Sequence, residues 1–144
     1  MPGLLLPLLL ALDAAGQEPP APPPPVSVPE KSAAIDWATL PDIPYRQAPQ
    51  MTAPMHAYVE GQVRARKCRA RRLVDGRPAV RIEIAVLVSP EDGVRASIPR
   101  PIGCAVVEQY AAGLVTSFAR NNLTARTNAA EQWYRATVTF AWKK

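Results

Sequence analysis

A single histidine, His56, is all the chain offers of the side chain best suited to move protons near neutral pH. Ser89, Ser97 and Ser117 are present as hydroxyls, but nothing in the spacing brings one beside His56. Neither a Ser–His–Asp nor a Cys–His set can be assembled. Nitrogen, sulfur and clustered carboxylate donors are too few for a metal centre. The acids Glu60, Asp75, Glu83, Glu91, Asp92, Glu108 and Glu131 are scattered, and no pair stands out for two-carboxylate hydrolysis. The glycines make no phosphate-cradling loop. These absences argue against an enzyme, and neither a cofactor nor a metal is expected.

Long hydrophobic runs are missing too. The one apolar stretch is Leu4, Leu5, Leu6, Leu8, Leu9, Leu10 and Leu12 around Pro7. It amounts to about 9 residues, where a membrane-spanning helix needs roughly 20. Small residues, Ala14-Ala15-Gly16, come next. That order is expected of a secretory signal peptide over residues 1–16, although no Lys or Arg precedes the leucines and Asp13 interrupts the approach to the cleavage site. The mature chain is then expected to be periplasmic or secreted.

Cysteine is scarce: Cys68 and Cys104 are the only two. In an exported chain an even count suggests a disulfide, and two allow one pairing. Closing such a loop stabilises the fold by about 4 kcal/mol. In a reducing compartment two free thiols are the alternative.

Proline is abundant, with 17 residues, most of them before Met55. The tract from Pro19 to Pro25 excludes helix and sheet ladder and favours an extended polyproline II spacer. Residues 17–54 are therefore expected to be a mostly disordered or extended spacer, with Ile35, Trp37 and Leu40 able to dock on the domain that follows.

Residues 55–144 carry the folding signals. Gln62 to Arg72 alternates like a strand with one phase slip, which a bulge at Arg66-Lys67 would repair. Val74-Asp75-Gly76-Arg77 suits a tight turn. Val80, Ile82, Ile84, Val86 and Val88 alternate strictly with Arg81, Glu83, Ala85 and Leu87, which predicts a strand. Pro90-Glu91-Asp92-Gly93 ends it, and Val94 to Ile98 reads as an extension or a minor third strand. Val106, Val107, Tyr110, Ala111, Leu114, Val115 and Phe118 recur at helical spacing, predicting a helix over 105–120 with Asn121-Asn122 as a left-handed cap. Asn122-Leu123-Thr124 also fits the glycosylation pattern but coincides with that helix end. The last strand runs from Trp133 to Trp142, with Tyr134, Ala136, Val138, Phe140 and Trp142 on one face. The order strand–strand–helix–strand gives an α+β fold of two layers, a small antiparallel three-stranded sheet with one helix on one face.

Two surface features are candidate sites. Arg64, Arg66, Lys67, Arg69 and Arg71 would line one strand face as an anion-binding stripe, or simply keep an edge strand soluble. The net charge of +5 fits an anionic envelope surface. Nucleic acid is disfavoured, because export removes it and no aromatics are interleaved. The terminal strand, with Trp133, Arg135, Thr137 and Thr139 facing outward, can capture an extended peptide at its edge. Full pairing, its own linker, or a second copy in a homodimer would instead cover that edge.

Tyr58-Val59-Glu60-Gly61-Gln62-Val63, Asp92-Gly93-Val94 and Val138-Thr139-Phe140, set behind a leader and a proline-rich spacer, resemble the energy transducer TonB family over residues 55–144. The resemblance implies a non-enzymatic periplasmic domain whose last strand pairs with a peptide of an outer-membrane transporter. The chain departs from that family in its short leucine run, its short spacer and its cysteine pair. The resemblance thus points to a soluble relative of the domain rather than an energy transducer. A basic module adhering to anionic envelope polymer or lipid is the alternative.

Overall fold

The computed structural model describes residues 20–21, 35–124 and 130–144. The leader and spacer residues 17–19 and 22–34 lie outside the described residues. The element order is α1 (Ala53–Arg64), β1 (Arg71–Arg72), β2 (Pro78–Ser89), β3 (Gly93–Pro99), α2 (Ala105–Ala119) and β4 (Gln132–Ala141). The fold is α+β, with one small antiparallel sheet and two helices.

β2 is the centre of the sheet because both its edges are used. Ala79 pairs with Arg71 of β1 on one side and Ala141 of β4 on the other. Ile84 pairs with Pro99 of β3 and with Ala136 of β4. β1 and β3 therefore share one flank of β2, and β4 occupies the whole of the other. The strict alternation of β2 places Val80, Ile82, Ile84, Val86 and Val88 beneath the helices, all buried. Tyr134, Ala136, Val138 and Phe140 extend that face from β4.

α2 closes the core with Val107, Ala111, Val115 and Ala119. The Glu108 carboxylate accepts from the Cys104 N–H at 2.9 Å, satisfying a donor at the helix start. Asn121 takes φ 54 at the other end, the left-handed cap expected there. Thr116 Oγ1 and Ser97 Oγ, 2.9 Å apart, tie α2 to β3. Val106 lies outside the buried stripe, and Ala112 and Ala119 take part instead.

Two expectations are corrected. Gln62 to Arg72 is not a strand with a bulge. Its first residues end α1, and only Arg71–Arg72 pairs with β2. Met55, Tyr58, Val59, Gln62 and Val63 fall at helical spacing, and Val59 is fully buried. Pro54 does not forbid the helix, because it sits in the first turn, where a missing N–H costs nothing. The phase slip marks the helix end, where Arg66 turns through φ 59. The sheet also has four strands rather than three, since Gly93–Pro99 is a full strand paired with β2.

Cys68 and Cys104 form a disulfide, with Cα atoms 5.3 Å apart. It fastens the loop after α1 to the start of α2.

Among the described residues, packing on the domain extends into the stretch expected to be spacer. Trp37 lies over the Arg100 guanidinium, 5.5 Å from its ring centroid, and Arg100 pairs with Glu83 at 2.6 Å. Ile43 is buried in the core. Residues 35–50 therefore pass as a strap from the outer face of the sheet, around the β4 edge, to the helical face.

Candidate functional site

The outer edge of β4 is set by its register with β2. In an antiparallel ladder, alternate residues turn their N–H and C=O away from the neighbour. Arg135 fixes the phase: its N–H donates to the Pro41 carbonyl at 2.7 Å, and its carbonyl accepts from Ile43 N–H at 2.9 Å. Its guanidinium also pairs with Asp42 at 3.0 Å. Thr137, Thr139 and Ala141 share that outward phase.

Two parts of the chain already cover the edge. The strap holds Arg135 through a parallel bridge at Asp42. At the far end, Ala141 N–H donates to His56 Nδ1 at 3.1 Å. The single histidine is thus half-buried and caps a strand edge. Its ring also meets Phe140 edge-on, 6.4 Å between centroids. Between the two covers, no hydrogen bond reaches the outward backbone of Thr137 or Thr139 among the described residues. The segment from Arg135 to Ala141 spans about 20 Å. Thr137 is exposed and Thr139 half-exposed.

Four residues read from the sequence as a binding strand, Trp133, Arg135, Thr137 and Thr139, therefore lie together along β4 on the outer face. The five cations read as one stripe do not share a strand face. Arg64 ends α1 and pairs with Glu60 at 2.6 Å; Arg66, Lys67 and Arg69 lie in the loop beyond, and Arg71 opens β1. Helix geometry and the loop disperse them.

Docking by Ile35, Trp37 and Leu40 was expected of the strap, but its contacts at residues 41–47 were not. Pro41 and Pro44 bias their preceding residues toward extended backbone, which is the local signal for a strand-like segment there. Asn122, at the end of α2, exchanges side-chain hydrogen bonds with the Gln47 backbone at 3.0 and 2.9 Å. Tyr45 bridges to Leu123, and burial pushes its phenol up to about 12.

A cleft of about 710 Å³ lies between the β2–β3 turn and the end of α2. Arg46 and Arg120 face Glu91 and Asp92 across it, with no nucleophile beside a base. Among the described residues, no group of three or more His, Cys, Asp or Glu side chains is placed to hold a metal ion, and no helix is long and apolar enough to cross a membrane. No family model, curated protein or solved structure matches this chain.

Proposed function

We infer that the protein is a non-enzymatic envelope protein that binds an extended peptide or protein segment by strand addition on β4. The observation that carries this reading is the outward backbone of Thr137 and Thr139, left without partners among the described residues between Arg135 and Ala141. Unpaired ladder groups on an edge are a template for a further strand. The strap supports the same reading from within the chain, since Pro41–Ile43 already uses the edge in this way at Arg135. The disulfide suits an oxidising compartment, and the short leucine run suits export, so a periplasmic partner is favoured. The resemblance to TonB domains makes an outer-membrane transporter segment the leading candidate for the captured peptide.

A displayed library of random decapeptides, selected on the full chain, tests the reading. Selected peptides should lose binding to Thr139→Pro, which removes an outward N–H without touching the β2 ladder. They should keep binding to the triple variant R64S/R66S/R69S. Peptides indifferent to Thr139→Pro but lost on the triple variant would overturn it in favour of simple charge attraction.

A further inference from the structure

Between β1 and β2 the chain turns through Leu73-Val74-Asp75-Gly76. The Leu73 carbonyl accepts from Gly76 N–H at 2.9 Å, and Leu73 N–H donates to the Arg77 carbonyl at 2.9 Å. Gly76 supplies φ +81, which a side chain would disfavour. Asp75 is tied to Arg77 at 2.7 Å. The turn is therefore tight, and its tip is held in one place.

Val74 stands at that tip, fully exposed, whereas Tyr58, Ile102 and Val106 are only 37–41% exposed. A lone exposed apolar residue is ordinary. Its surroundings are not. Arg71 and Arg72 lie on the strand entering the turn. Lys143 and Lys144 face Asp75, Gly76 and Arg77 across a cleft of about 240 Å³. The chain past β4 is held there by Trp142 N–H donating to the Pro78 carbonyl at 3.3 Å. Among the described residues, Arg71, Lys143 and Lys144 have no ion pair, and neither do Arg66, Lys67 and Arg69 in the loop leading to β1. The acid in the turn, Asp75, is already matched to Arg77.

An apolar tip inside a collar of cations is the inverse of a bilayer surface, where anionic phosphates overlie hydrocarbon. We propose that this end of the molecule docks on an anionic phospholipid bilayer. Val74 enters the boundary between headgroups and acyl chains, and Arg71, Arg72, Lys143 and Lys144 contact the phosphates. A dissolved polyanion would use the cations and ignore Val74, which is why the bilayer is the better fit. The inference stands apart from the strand-capture reading. Thr137 and Thr139 lie ahead of Ala141, which His56 covers, whereas the bilayer contacts lie on β1, the turn after it and residues 143–144.

Co-sedimentation of the full chain with vesicles tests it, using phosphatidylcholine alone and phosphatidylcholine mixed with phosphatidylglycerol. Binding is expected only to the mixed vesicles and should weaken with salt. Each cation removed, as in Arg71→Ser or Lys143→Ser, should lower partitioning about fivefold. Val74→Leu, one methylene longer, should raise it about fourfold, and Val74→Ser should lower it at least as much. Val74 packs against nothing, so neither variant threatens folding. Thr139→Pro should leave vesicle binding unchanged. Failure to bind the mixed vesicles would overturn the proposal. So would binding that ignores both Val74 variants, or inorganic polyphosphate bound as tightly as the vesicles, since either marks plain charge adsorption.

Discussion

At the scale of single residues, burial decides what each side chain contributes. Phe140 is fully buried, and Tyr110 stacks over it with centroids 5.9 Å apart. Truncating Phe140 to Ala should cost about 3–5 kcal/mol, measured by denaturant unfolding. Tyr45 gives a pH signature. Burial raises its phenol from 10.0 to about 12, so the folded state keeps a proton that the unfolded chain gives up near 10. Its contribution to stability is whole below pH 10 and is lost as pH rises toward 12. Unfolding midpoints should fall across that window, and Tyr45→Phe should remove this part of the slope. An unchanged slope in the variant would place Tyr45 in solvent. His56 was readable only as an isolated histidine. Its role as acceptor for Ala141 N–H joins positions 85 residues apart, which no local pattern announces.

At the scale of elements, regular periods were legible and interruptions were not. The alternation of β2 and the three-and-four spacing of α2 gave both elements within a residue or two, because each buries one continuous face. α1 was hidden because its last turn and the loop after it alternate Val and Ala with Arg, which copies a strand. Its glycine offers a check. Gly61 lies inside α1 with open space where a Cβ would go. Gly61→Ala should therefore stabilise the protein by about 0.5–1 kcal/mol, since alanine favours helix over the unfolded chain. Destabilisation on thermal unfolding would mean that residues 53–64 do not form this helix. The strap and β4 form a second test. Arg135–Asp42 is an exposed pair, worth under about 1 kcal/mol, so Asp42→Ala should barely change overall stability. It should nevertheless speed exchange of the Arg135 amide, whose acceptor is the Pro41 carbonyl one residue away.

At the scale of the whole molecule, the disulfide and the distribution of charge frame the function. The bridge closes a separation of 36 residues. Cys104→Ser should cost up to about 4 kcal/mol, a large share of the stability of so small a domain. Intact mass should be lighter by the two thiol hydrogens before reduction than after. Unpaired cations gather at the β1–β2 end, while the opposite end balances Arg95 between Asp92 and Glu131. Under the docking proposed above, that polarity places the C-terminal end of β4 nearest the surface, with Thr137 and Thr139 set back from it along the strand. The sequence disclosed the terminal strand and its outward residues and left its own linker as one of three covers for that edge, undecided because the shield depends on prolines folding back across 93 positions. The most direct measurement is backbone amide exchange at Thr137 and Thr139, with and without a library-selected peptide. Both amides should exchange quickly in the free protein and become protected on binding. Slow exchange in the free protein, or a bound peptide that protects amides elsewhere and leaves these two unchanged, would contradict capture at the β4 edge.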